Sequence, residues 1–345
     1  MAPQREPLKL MGAPGSPYTR KMLAVLRYRH IPYSMMWGGH GRPPGTDYPV
    51  PKVRLLPTFY FPDADGRLEA AVDSTPIIRR LEADYTGRSI LPDHPALAWI
   101  NDLIEDFGDE WLTKAMFHYR WAYQDDIKNA GPMLIYWSEP TLEEGAAMAL
   151  ADQFAERQIG RLYVVGSNET TAETIEASYQ RTLGILVALI QQGGFILGDR
   201  PASCDFAVYG QLTQLGVIDP TPARVTRTVS MRVRAWLDRV EDLSGHEGGE
   251  WRSVDEAARC LRPLLTEIGR VYAPFLLANA RAVMAGGGAA VDGEIDGRPW
   301  TQPAFPYQAK CLGWIREGFV ALPSSAQMDV MRIIAGTGCE AMLDA

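Results

Sequence analysis

Apolar and polar positions follow two regimes along the chain. In the first 90 residues the apolar runs are short and punctuated by Gly and Pro, whereas from Pro95 onward they recur with a helical period. In the first regime Leu8 to Met11 predicts a strand and Gly12 to Gly15 a turn. Ser16 to Arg29 predicts a helix whose apolar side carries Met22, Leu23, Val25 and Leu26. Ile31 to Trp37 predicts a second strand, and the Gly- and Pro-rich stretch 38–51 a loop. Pro57 to Phe61 and Arg67 to Val72 flank the turn residues Asp63-Ala64-Asp65-Gly66 as a β-hairpin. Asp73 and Ser74 stand where the next helix, Thr75 to Tyr85, needs an N-cap. The predicted order is β-α-β-loop-β-β-α.

In the second regime Trp99, Leu103, Phe107 and Trp111 recur at close to four residues, and Ala146 to Val165 and Thr170 to Gln192 carry similar spacing. Phe206 to Leu215 and Val229 to Val240 complete an all-α region, which ends at the Gly-rich segment 244–249. Beyond it, Val254 to Met284 predicts one or two helices interrupted near Pro263 and Pro274, stopped by Gly286-Gly287-Gly288. An irregular segment is expected next, with turn signals at Asp292-Gly293 and Asp296-Gly297 and the aromatics Trp300, Phe305, Tyr307 and Trp314. The organisation expected is therefore 1–90, mixed α/β; 95–245, all-helical; and 246–345, a mostly helical extension.

Composition narrows the function classes. With 345 residues, 46% of them hydrophobic and 22% charged, the chain has enough apolar material for a packed core. A formal charge of -8 argues against nucleic acid or anionic membrane as a partner. No stretch has the length of a membrane span, and the first residues lack the apolar run of a signal peptide. Cys204, Cys260, Cys311 and Cys339 form no C-x-x-C pair, so neither a disulfide framework nor a zinc site is expected, and a reducing cytoplasm fits.

Three features follow one another in the α/β half. Ser16-Pro17-Tyr18 opens a helix, where backbone N–H groups and the positive end of the helix dipole favour an anion such as a thiolate. Leu56-Pro57 stands at a strand start, where a cis proline would leave the preceding backbone free to pair with an extended ligand. Asp73-Ser74 at a helix start offers a carboxylate for an ammonium and a hydroxyl for a carboxylate.

As an ordered set these resemble the glutathione transferase superfamily, serine type, over residues 8 to 243; residues 250 to 345 match no part of that pattern. The resemblance implies a thioredoxin-like first domain and an all-helical second one, with glutathione as co-substrate. It implies that Ser16 donates to the glutathione sulfur and keeps it as thiolate. Leu56 and Pro57 would pair with the cysteinyl part and Asp73 and Ser74 with the γ-glutamyl end. Arg54, or else Lys52, would meet the glycyl carboxylate. A small hydrophobic electrophile would be the second substrate, near Tyr18, Tyr119, Arg120 and Tyr123, and the protein would be a cytoplasmic homodimer without metal. The Ser16 and Thr19 positions stand where redox relatives carry thiols, which argues against thiol-disulfide chemistry. Two alternatives share these residues: a non-catalytic binding or interaction protein, and a glutathione-dependent lyase or isomerase.

Each feature also has a plainer role. Ser16, Asp73 and Ser74 can simply cap helices, and Phe117 to Trp121 reads first as core. Asp102, Glu105, Asp106 and Asp109 share one helix face, read as solvated or paired with Arg20, Lys21 and Arg27 rather than as a metal site. The family's capping hydroxyl is missing at Ala202; either Ser203 caps one residue later or the loss costs about 1 kcal/mol at the helix start. Cys204 reads as a buried, inert thiol.

Overall fold

A computed structural model of the protein describes residues 6–39, 43 and 45–344. Residues 40–42 and 44 of the expected 38–51 loop lie outside the described set. The α/β half contains β1 (Leu8–Gly12), α1 (Pro17–Tyr28), β2 (Tyr33–Trp37), β3 (Thr58–Pro62), β4 (Leu68–Ala71) and α2 (Ser74–Asp84). Its sheet has the order β2-β1-β3-β4, with β1 parallel to β2 and the other pairs antiparallel. The β1-α1-β2 crossover supplies the parallel pair, and Asp63 closes the β3-β4 hairpin by accepting from the N–H groups of Asp65 and Arg67. Met22, Leu23, Val25 and Leu26 are buried against the sheet, as the period of α1 predicts. This is a thioredoxin-like domain.

Helices follow. They are α3 (Pro95–Asp106), a π-turn at Phe107–Trp111, α4 (Leu112–Ala122), α5 (Gln124–Ser138) and α6 (Glu144–Ile159). Then come α7 (Ala172–Gly193), α8 (Ser203–Thr213), α9 (Pro220–Val229) and α10 (Met231–Val240). Helix α1 of the first domain packs directly on α8, where Gly210 lets the backbone of Pro17 approach: a Cβ there would stand 2.6 Å from the Pro17 carbonyl oxygen. Two more ties join the domains. Arg20 and Arg27 pair with Glu241 at 3.3 and 2.8 Å, and buried Arg120 pairs with Asp219 at 2.9 Å while donating to the Gly15 carbonyl.

The start of α8 decides against one of the two alternatives for its cap. Ser203 does not cap it, because its hydroxyl donates to Glu105 and accepts from Asn101. The reciprocal half of a capping box survives instead: Asp205 accepts from the N–H groups of Ala202 and Ile196 at 2.9 and 2.8 Å. Cys204 is fully buried and its thiol is pushed well above its ordinary range, first by burial and then by Asp205 and Glu105, so it stays protonated.

The last stretch comprises α11 (Val254–Cys260), α12 (Arg262–Glu267), a π-turn at Ile268–Tyr272, α13 (Ala273–Ala285), β5 (Ala290–Ile295), β6 (Arg298–Pro303), α14 (Pro306–Val320) and α15 (Ser324–Ile334). The segment expected to be irregular is an antiparallel hairpin, with Ile295 opposite Arg298. Asp296 and Gly297, both at positive φ, make its two-residue turn, whereas Asp292-Gly293 lies inside β5 and makes none. Val291, Ile295, Trp300 and Gln302 point inward from alternate positions. Leu264, Phe275, Trp300 and Ile333 join the same continuous apolar core as Trp99, Phe107 and Leu183. Among the described residues no helix is long and apolar enough to cross a membrane.

Candidate functional site

The turn into α1 places Ser16 as its N-cap. Its Oγ accepts from the Thr19 N–H at 3.2 Å and donates to the Leu56 carbonyl at 3.3 Å. Leu56-Pro57 is a cis peptide, and among the described residues the Leu56 N–H has no hydrogen-bond partner. Ser16 is thus both cap and neighbour of the cis-proline. Thr58 donates to the Leu55 carbonyl at 2.9 Å and fixes the other side of the same turn.

Below this turn lies a cavity of about 370 Å³, a size suited to a small organic ligand. Leu56, Pro57, Asp73, Ser74 and Tyr18 line it, so five sequence-predicted residues converge on one space. Ser16 stands beside it, bonded to Leu56. Arg54 and Lys52 do not come to the wall: both are exposed, while the alternate positions Val53 and Leu55 face the cavity.

Tyr119, Arg120 and Tyr123 are likewise outside the lining. Tyr119 is buried, its ring stacked on Tyr123 and edge-on to Tyr179; Tyr123 donates to Glu176, and Arg120 is spent on the domain junction. The aromatic run 117–121 is core, as its plainer reading had it. His118 belongs to the same layer, held by Ser167 and Glu176 at 2.7 and 3.0 Å.

Under Ser74 the acidic face, expected to be solvated or paired, is paired in a buried network. Lys21, 1% exposed, reaches across from α1 and donates to Ser74 at 3.0 Å, Glu105 at 2.8 Å and Asp109 at 2.6 Å. Thr75 also donates to Glu105, at 2.9 Å. Burial pushes the Glu105 carboxyl up, but Lys21 and Arg79 outweigh it and hold it below the ordinary range. Burial dominates at Asp109 and raises it despite Lys21. Of the three cations expected against this face only Lys21 is used there, since Arg20 and Arg27 go to Glu241. Among the described residues no group of three His, Cys, Asp or Glu side chains is arranged to hold a metal ion.

The π-turn at 107–111 shapes the floor. An extra residue in the helical turn offsets the backbone, as such insertions often do beside functional sites. The Asp109 carbonyl there accepts from the Tyr18 hydroxyl at 2.8 Å, and Glu110 faces the cavity. Burial, reinforced by Asp106, pushes the Glu110 carboxyl up to about 8, so it carries its proton at neutral pH. Lys114, one turn on, also faces the cavity, and burial lowers its ammonium to about 7.

The remaining wall comes from residues that sequence reasoning left unassigned. Phe305, Tyr307 and Gln308, at the start of α14, line the cavity. The Tyr307 hydroxyl donates to the Asp73 carboxylate at 2.7 Å, and Gln308 donates to Glu110 at 3.0 Å. Asp73 itself, at φ 78°, makes no side-chain cap bond to α2, contrary to its capping reading. Tyr307 was visible only as one aromatic among several, because nothing local to it announces a partner 234 residues away.

A thioredoxin-like domain whose cis-proline turn, helix N-terminus and Asp-Ser pair surround one cavity, followed by a helical domain, has the architecture of glutathione transferases. Residues 10–89 match the family model of the glutathione S-transferase N-terminal domain. No curated protein matches the sequence. Among solved structures, a GST-like protein from Pseudomonas syringae is 17% identical with a TM-score of 0.41, covering 68% of this chain and 67% of that one. A Tau class glutathione S-transferase from mango, Mangifera indica, is 16% identical with a TM-score of 0.39, covering 69% and 89%. A glutathione transferase family member from Pseudomonas fluorescens, solved with two glutathione bound, is 14% identical with a TM-score of 0.38, also covering 69% and 89%.

Proposed function

We propose that the protein binds glutathione in this cavity and activates it as a thiolate for attack on an apolar or aromatic electrophile. The observation that carries the reading is the convergence of Leu56, Pro57, Asp73 and Ser74 on one space directly beside Ser16. An extended ligand pairing with the free Leu56 N–H would set its sulfur near the Ser16 hydroxyl. Ser16 would then turn its proton from the Leu56 carbonyl to the sulfur, while its oxygen keeps the Thr19 N–H. The N-terminus of α1 adds its partial positive charge, and a thiolate is the form that both favour. Asp73 and Ser74 would receive the γ-glutamyl end. Arg54 and Lys52 remain available at the rim for the glycyl carboxylate, each by a change of rotamer.

The test is calorimetric titration with glutathione, together with turnover of a chromogenic aryl halide by wild type and Ser16→Ala. The reading expects saturable binding in both and turnover reduced by about a hundredfold in the variant, the scale of removing one catalytic hydrogen-bond donor. Absence of binding in the wild type would overturn it.

A binding-only reading has one observation in its favour: the Tyr307 hydroxyl already occupies the Asp73 carboxylate. It predicts glutathione or another ligand bound without turnover of any electrophile. A lyase or isomerase would use the same thiolate, and screening of substrates distinguishes it from a transferase.

A further inference from the structure

A residue of the cavity wall carries a second nucleophile that the glutathione reading does not use. Lys114 is 1% exposed and lines the same cavity as Tyr18 and Glu110. Its Nζ donates to the Val165 carbonyl at 3.2 Å and to Gln302 Oε1 at 3.0 Å, so the amine is held in one place. It lies 4.0 Å from the centre of the Phe275 ring, with Trp300 and Trp111 at 5.6 and 5.8 Å. Among the described residues no carboxylate stands within ion-pair distance of it. The contrast is with Lys21, equally buried but paired with Glu105 and Asp109.

We propose that Lys114 is a reactive amine that forms an imine with an aldehyde or ketone of apolar body bound in this cavity. The apolar body is dictated by the wall, where Val53, Leu55, Leu56, Val164 and Phe305 face the space. The reaction needs a free amine lone pair and a proton donor. Burial supplies the first, lowering the ammonium to about 7. The titratable group that acts on it is Glu110; Val165, Gln302 and the three rings carry no charge. Glu110 supplies the second, because its carboxyl is protonated at neutral pH.

The lone pair of Nζ attacks the carbonyl carbon and forms the C–N bond. A proton passes from nitrogen to oxygen to give the carbinolamine. Glu110 then protonates the hydroxyl, which leaves as water while the nitrogen lone pair forms the C=N bond, and the iminium proton returns to Glu110. The balance is one amine plus one carbonyl giving one imine and one water, with no oxidant or reductant. Glutathione is not required, so this inference stands or falls independently of the transferase reading.

The experiment is reductive trapping of the full-length protein at pH 7 with benzaldehyde and cyanoborohydride, followed by peptide mapping. An amine titrating near 7 has about a thousandfold more free base at that pH than an ordinary lysine. Lys114 is therefore expected to label at least about tenfold faster than exposed Lys52 and Lys128 after allowance for its restricted access. Lys21 is expected to stay unlabelled in the folded protein, and all lysines to label in urea. Lys114→Met, which replaces the amine by an apolar chain of similar length, should abolish the fast phase and leave the slow one. Labelling of Lys52 and Lys128 but not Lys114 would overturn the proposal. So would labelling of Lys21 together with Lys114, because it would show that Lys114 is reached only by unfolding.

Discussion

Replacing Lys21 by Met tests the buried network that supports Ser74. The substitution removes the ammonium that stands 2.8 Å from Glu105 and 2.6 Å from Asp109, with lysine and Glu105 each 1% exposed in their side chains and Asp109 9%. Solvent screening is negligible at such burial, so the relevant scale is that of breaking a buried ion pair, about 3–5 kcal/mol. Set against a total stability of about 5–15 kcal/mol, the loss is a large fraction.

The penalty should depend on pH in a definite sense. In the wild type Glu105 is held below its ordinary range, so its contribution is complete above the unfolded value of about 4.3 and is lost only as the pH falls through the lower folded value. Without Lys21 the burial of Glu105 is opposed only by Arg79 and the hydroxyls of Ser203 and Thr75, and its pKa moves up. The variant then loses stability as pH rises toward neutrality, by up to about 1.4 kcal/mol per pH unit. Urea unfolding followed by tryptophan fluorescence should therefore show a larger deficit at pH 8 than at pH 5. A deficit below about 1 kcal/mol, or one equal at both pH values, would refute the reasoning.

Other substitutions isolate single contacts. Tyr307→Phe removes the 2.7 Å hydrogen bond to Asp73 and frees the carboxylate for an ammonium, so glutathione should bind about three- to tenfold tighter by calorimetry; unchanged or weaker binding would contradict that role. Asp205→Ala orphans the buried N–H groups of Ala202 and Ile196 and should cost about 2–4 kcal/mol in chemical denaturation. Gly210→Ala places a Cβ 2.6 Å from the Pro17 carbonyl oxygen, and pushing α1 from α8 should cost about 1–3 kcal/mol and lower the melting temperature. A melting temperature within experimental error of wild type would show that the α1-α8 contact can relax freely.

The thioredoxin-like half was legible because its signals are local. Strand, helix and turn residues there act within a few positions of one another, as in the apolar face of α1 and the Asp63 to Gly66 turn. The site's nearer wall was legible for the same reason, since Leu56-Pro57 and Asp73-Ser74 each mark an element boundary. Lys21 was legible as one of three candidate partners of the acidic face, with Arg20 and Arg27, but nothing local says which of the three turns toward Glu105 and Asp109. The hairpin at 290–303 carried a usable signal, Asp296-Gly297 between alternating inward residues, but the competing Asp292-Gly293 pair masked it. Tyr307, Gln308 and Lys114 were illegible as site residues because their roles depend on long-range packing. Tyr119, Arg120 and Tyr123 lie away from the cavity wall for a related reason, since residue type and spacing do not say which way a side chain turns.

The central claim is that this cavity binds glutathione and that Ser16 favours its thiolate. The most direct measurement is the pH titration of bound glutathione by the ultraviolet absorbance of the thiolate, in wild type and in Ser16→Ala. The account predicts a bound thiol that ionises well below free glutathione in the wild type and returns toward the free value in the variant. A bound thiol that ionises like free glutathione in the wild type, or equally low in both proteins, would contradict it.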